Sequence, residues 1–248
     1  MSGRQRIDQL LVSTGRFDSR ARARAAIEAG LVRVGGRLVR KPSETFEAGL
    51  PIEAEAPHPW VSRAGLKLVA GLDAFGVDPR GCVCLDVGSS TGGFTQVLLS
   101  RGAAKVYAVD VGRDQLHASL RADARVVSME AQDARTLAPA MFEAAPKIIV
   151  CDASFISLKL ILPAVLPLAA PDAALVALIK PQFEAGRESV GKGGIVRDGA
   201  IHARVCEEIV ALVQQIGWRV VGVRPSPIEG GDGNREFLMC ATKRGETQ

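Results

Sequence analysis

The sequence contains no C-x-x-C pair: its five cysteines (Cys82, Cys84, Cys151, Cys206 and Cys240) are an odd set lying in apolar runs. That argues against a zinc site or a disulfide framework, and for reduced core thiols in a cytoplasmic protein. The N-terminal MSGRQRIDQLL lacks an apolar stretch of signal-peptide length. Residues 160–179 are apolar enough to suggest a membrane span, but Pro163, Pro167, Pro171 and Asp172 interrupt them. They read instead as a short helix, a turn at APDA and a buried strand. With 47% hydrophobic residues over 248 positions, the chain can build a packed core in one large or two small domains.

Charge is modest overall, at +4, but unevenly placed. Residues 1–41 carry ten Lys or Arg against Asp8, Asp18 and Glu28, a local surplus of seven. Such a surplus ordinarily faces solvent, and when it has a partner the partner is usually phosphate. In this region Ile7, Leu10 and Leu11 recur at helical spacing until Gly15. Asp18 or Ser19 then caps a second helix, with Ala23, Ala26 and Ile27 inward and Arg20 and Arg24 together on another face. LVRVGGRLV predicts a hairpin turning at Gly35-Gly36, and PIEAEA a further strand. The reading is a small α+β domain over 1–56, a linker over 57–61 containing Pro57 and Pro59, and a second domain over 62–248.

Strand-like stretches in the second domain fall at 83–87, 105–109, 125–129, 147–151, 174–180, 218–224 and 236–242, alternating with helical patterns. This predicts an α/β fold: a Rossmann-like, seven-stranded, mostly parallel sheet with helices on both faces. Only a loop separates the last two stretches, so the last strand should be antiparallel, in a hairpin at the sheet edge, as in class I methyltransferases.

LDVGSSTGGFTQVLL, at 85–99, is a strand, a glycine-rich turn and a helix start. A dinucleotide fingerprint needs glycine at its second position, where this turn has Ser90. The D-x-G-x-x-x-G-G pattern suits a ligand with an adenosine and a charged amino-acid tail, as in S-adenosylmethionine. Gly88, Ser89, Thr91, Gly92 and Phe94 are candidates for its methionyl part, Asp110 at the end of the next strand for its ribose, and Asp133 for its adenine.

Four polar residues occupy places where such sheets bind ligands: Lys67 on the helix entering the domain, Asp152 and Lys180 at strand ends, and Glu236 at a strand start. Each alone is an ordinary first solvated residue after a buried run; four on one edge is a pattern. The stretch CDASF lacks the proline-rich, aromatic-ended motif of exocyclic-amine methylation, and Cys151 should face the core, unlike the exposed thiol used to attack pyrimidine carbon. Two lysines and two carboxylates suit methylation of a ribose hydroxyl, which must lose a proton as it attacks the methyl carbon. An ordinary lysine, with a pKa near about 10.4, needs about 4 kcal/mol to stand neutral at about pH 7.4. Burial and a second lysine reduce that requirement, whereas nearby carboxylates increase it. In this reading Lys67 acts on Lys180, the base, while Asp152 and Glu236 orient the ammonium groups. No metal is required, because the leaving group is a neutral thioether. The loop 184–194, with four glycines beside Arg187 and Lys192, reads either as a mobile basic flap or as a plain connection.

The N-terminal pattern RIDQLLV, then SRARARAAIEAGLVRVGG, resembles the RNA-binding module named after ribosomal protein four of the small subunit. That resemblance implies phosphate contacts by Arg4, Arg6, Arg20, Arg24 and Lys41. VSRAGLKL, DVGSSTGGFT, CDASFISL, IKPQFEAG with VGKGG, and GNREF together resemble the TlyA family of FtsJ-like RNA ribose methyltransferases, across nearly the whole chain. The resemblance implies an enzyme that transfers a methyl group from S-adenosylmethionine to a cytidine 2′-hydroxyl of ribosomal RNA, with Lys67, Asp152, Lys180 and Glu236 as its catalytic tetrad. At Arg63-Ala64-Gly65 the chain departs from the paired glycines usual after the arginine. Some members of the family carry haemolysin labels, so a membrane-active protein is one rival reading and a non-catalytic ribosome-assembly factor another.

Overall fold

A computed structural model describes residues 4–230 and 233–243. The chain divides into two compact units, Met1–Val61 and Ser62–Gln248.

In the first unit, α1 (Ile7–Ser13) and α2 (Arg20–Glu28) pack through Ile7, Leu11, Ala23 and Ile27. Ser19, not Asp18, caps α2: its hydroxyl accepts the Arg22 N–H at 3.3 Å. β2 (Val32–Val34) and β3 (Arg37–Leu38) form the hairpin, and both turn glycines take positive φ (56° and 77°), as a tight two-residue turn requires. β5 (Ile52–Ala54) pairs with the other edge of β2. A second small sheet joins β1 (Gln5–Arg6) to β4 (Thr45–Phe46); two-residue strands leave no period in the sequence and were not anticipated.

The second unit opens with α3 (Ala64–Phe75), followed by β6 (Val83–Val87), α4 (Gly93–Ser100), β7 (Lys105–Val109), the short α5 (Ala118–Arg121) and β8 (Val126–Met129). Then come β9 (Ile148–Cys151), α6 (Leu158–Val165), β10 (Ala174–Ile179), α7 (Pro181–Glu184), α8 (Gly199–Gln215), β11 (Trp218–Pro225) and β12 (Phe237–Lys243). The sheet order is β11-β12-β10-β9-β6-β7-β8, parallel from β10 through β8. β12 is antiparallel to both neighbours and lies inside the sheet, leaving β11 at the edge. Two 3₁₀ turns, Ala134–Thr136 and Pro139–Met141, replace a helix between β8 and β9.

Residues 160–179 form most of α6, a 3₁₀ turn at Leu166–Leu168, a bend with Asp172 at φ 60°, and β10. Among the described residues no helix is long and apolar enough to cross a membrane. The expectation of five core thiols needs correction: Cys84, Cys151 and Cys240 are buried, whereas Cys82 and Cys206, at the start of a strand and on a helix flank, are partly exposed.

Candidate active site

Strand order reverses at β6, whose neighbours β7 and β9 lead to opposite edges, and a crevice opens beyond the carboxyl ends of these strands. Two adjoining cavities fill it, sharing Gly88, Ser90, Asp152 and Ser154. One, of about 290 Å³, is lined by Lys67, Ser89, Thr91, Phe94 and Lys180 among others. The other, of about 410 Å³, is walled by apolar Val109, Val111 and Ile161 and by polar Asp110, Gln115 and Asp133.

The four candidate residues form two ion pairs. Lys67 on α3 meets Glu236, just before β12, at 2.5 Å, with both side chains buried. Lys180, just beyond β10, lies 2.6 Å from Asp152 Oδ1 and donates to the Asp152 carbonyl (3.2 Å) and the Ser154 hydroxyl (2.8 Å). Asp152 Oδ1 is itself buried, so the ammonium is its nearest charge partner among the described residues. Each lysine has its own carboxylate, because the strand order sets β12 beside α3 and β9 beside β10; both lysines line the same cavity.

The glycine turn is shaped by its surroundings. Gly88, at φ 81°, approaches the loop after β9 so closely that a Cβ would lie 2.9 Å from the Ala153 backbone. Gly92 does not line either cavity; its missing side chain makes room for Leu116 and Leu120, which a Cβ would meet at 2.8 and 2.3 Å. Gly92 is therefore required for packing, in addition to its place in the glycine turn. Ser89, Thr91 and Phe94 line the first cavity, and the buried Ser89 hydroxyl has no partner among the described residues. Asp110 accepts the N–H groups of Ser90 (2.8 Å) and Gly112 (2.7 Å), bracing the turn against the next loop. Asp133 lines the second cavity while held by Arg135 at 2.6 Å, which keeps its carboxyl below the usual range.

Sequence reasoning missed Asp86 and Phe155. Asp86, the acid opening the glycine pattern, is fully buried and bonded by the Thr95 hydroxyl at 2.6 Å. Burial pushes its carboxyl up to about 7, opposed by Thr95 and assisted by the charge of Asp152. Phe155 is 91% exposed at φ 64° and tilts against Phe183 with centroids 5.2 Å apart. Phe155 is marked out by an aromatic side chain at positive φ, and backbone angles are not readable from CDASF.

In the first unit the five basic candidates divide. Arg6 grips buried Asp8 through two 3.0 Å bonds and Arg20 adds one at 2.8 Å, so both are partly committed to holding the fold. Arg4 bonds to Thr45, while Arg24 and Lys41 project as exposed side chains.

Residues 60–243 match the FtsJ-like methyltransferase family and residues 5–52 the S4 domain, so the chain belongs to the FtsJ-like methyltransferases and carries an S4 domain ahead of the catalytic fold. Within that class it is a member of the TlyA family. It is 44% identical over 241 residues to the 16S/23S rRNA (cytidine-2'-O)-methyltransferase TlyA of Mycobacterium tuberculosis, covering 96% of this chain and 90% of the relative. It is also 41% identical to Hemolysin A of Brachyspira hyodysenteriae, over 94% of this chain and 98% of that protein. A solved structure from Streptococcus thermophilus, titled as a hemolysin, superimposes with a TM-score of 0.78 at 43% identity, covering 98% of this chain and 90% of that one.

Proposed function

We propose that the chain transfers a methyl group from S-adenosylmethionine to a cytidine 2′-hydroxyl in ribosomal RNA, acting in the cytoplasm. The observation that carries this reading is the convergence of two buried lysine–carboxylate pairs on a cavity walled by the glycine turn. The donor fits the two cavities by its chemistry. The unpartnered Ser89 hydroxyl offers a bond to its amino-acid tail, the Asp110 carboxylate has lone pairs left for ribose hydroxyls, and Val109, Val111 and Ile161 suit an adenine face. Asp133 stands at the polar end of that pocket. When bound, the donor supplies an electrophilic methyl on a sulfonium and departs as a neutral thioether.

The remaining work belongs to the chain. As a neutral amine, Lys180 Nζ takes the proton from the attacking 2′-oxygen and becomes the ammonium that pairs with Asp152, while Asp152 and Ser154 fix where Nζ stands. Lys67, held by Glu236, sits on the same cavity wall as a fixed positive charge for the oxygen as it loses its proton. The S4 domain supplies sequence-independent affinity through Arg24, Lys41 and Arg4, with the free faces of Arg6 and Arg20 adding to it. Mass mapping of ribosomal RNA incubated with the protein and S-adenosylmethionine tests the proposal. Ribose methylation at a cytidine is expected; methylation on a base, or none, contradicts it.

A further inference from the structure

Lys180 and Asp152 lie on separate loops, after β10 and after β9, and their meeting depends on how those loops are held together. Beyond the contacts of Lys180 itself, with Asp152 and Ser154, two more contacts join the loops among the described residues. Phe183 packs against Phe155, and the Glu184 carboxylate accepts the Ser157 hydroxyl at 2.5 Å and the Leu158 N–H at 2.7 Å. Ser157 meanwhile caps α6 by accepting the Lys159 N–H at 3.0 Å, so its hydroxyl proton is committed to Glu184 and its lone pair to the helix. Glu184 thereby occupies the amino end of α6, where a negative charge is favoured.

We propose that Glu184 is a positioning residue for methyl transfer, the outer clasp that keeps Lys180 and Asp152 in register. α7 is a single turn whose first residue, Pro181, follows Lys180 directly and whose last is Glu184. A rigid turn anchored at its far end fixes the direction in which Lys180 leaves β10. Glu184 lines neither of the two cavities, so its effect on chemistry runs through Lys180 rather than through contact with ligand. Burial raises its carboxyl above the usual range, while the Ser157 and Leu158 bonds and Lys159 favour its charge and Glu208 opposes it. Lys159 and Arg204 both pair with Glu208, which leaves the donors of Ser157 and Leu158 as the principal partners of Glu184.

The inference rests on the proposed role of Lys180, and its test separates the two. Full-length Glu184→Ala and Glu184→Gln are compared with wild type and Lys180→Ala for kcat and KM on ribosomal RNA, and for S-adenosylmethionine binding by calorimetry. Glu184→Ala should lower kcat at least tenfold, with KM for RNA and donor Kd each within about twofold of wild type. Glu184→Gln, which retains one acceptor oxygen, should recover a threefold or greater part of that loss. Should Glu184→Ala fail to fold, the kcat of Glu184→Gln alone decides, with a threefold or greater reduction supporting the clasp. Wild-type kcat in the folded variants, or a loss confined to KM or to donor binding, overturns the clasp while leaving Lys180 untouched. Full activity in Lys180→Ala overturns the proposed role of Lys180 instead.

Discussion

Asp8 in the S4 domain and Asp86 in the methyltransferase domain are both wholly buried, and they titrate in opposite directions. Bonds from Arg6, then from Arg20, outweigh burial and hold the Asp8 carboxyl well below the usual range. Asp86 has only Thr95 against the cost of burial, and its carboxyl rises to about 7. Burial therefore sets the stakes, and the partner sets the sign. The rule extends to the rest of each domain. The arginines paired with Asp8 and Glu44 in the S4 domain have side chains open to water, whereas the pairs of the candidate active site are enclosed on both sides and depend on their match.

The strongest way to break this contrast is to remove one member of an enclosed pair. Glu236→Ala leaves the Lys67 ammonium buried and alone, which should cost about 3 kcal/mol of methyltransferase-domain stability by calorimetry. A loss below 1 kcal/mol, about what an exposed pair would give, would contradict enclosure. Asp8→Ala should cost about 2 kcal/mol in the S4 domain, since it removes charged hydrogen bonds whose arginines can turn to water.

The Asp8 contribution is complete above its ordinary value of 3.8 and disappears as the pH falls below it, because the folded form resists protonation. The Asp86 contribution runs the other way. The folded state holds its proton up to about 7, so stability declines as the pH rises from 3.8 towards that value. Asp86→Asn should flatten this slope and stabilise the domain by about 1 kcal/mol at about pH 8; an unchanged slope in pH-dependent melting would assign it elsewhere. The smallest effect distinguishes the arginines. Arg24→Ala should reduce the salt dependence of RNA binding by about one unit of slope, and Arg20→Ala by less, because Arg20 already serves Asp8. Equal reductions would show that Asp8 leaves Arg20 wholly available.

What the sequence made legible follows from locality. Apolar runs such as IIVC and ALVALI, bounded by polar or turn residues, mark the strands of the sheet to within a residue or two. The strand-end positions of Asp152, Lys180 and Glu236, and the place of Lys67 on the entering helix, were legible for the same reason. Their partners were not: Lys67 and Glu236 are separated by 169 positions, and which lysine takes which carboxylate is decided by sheet order. The packing demand on Gly92 was not legible either, because Leu116 and Leu120 come over it only in the fold. The commitment of Arg6 and Arg20 to Asp8 was hidden because a basic surplus counts charges and not their neighbours.

The central claim is that Lys180 Nζ, set by Asp152 and Ser154, removes the proton from the attacking ribose oxygen. Methyl transfer to ribosomal RNA by Lys180→Ala, measured alongside S-adenosylmethionine binding to the same preparation, tests it most directly. The expected result is transfer reduced at least a thousandfold, roughly the upper part of what one acid–base group contributes, with donor affinity preserved. Transfer within tenfold of wild type, in a variant that still binds the donor, would contradict it.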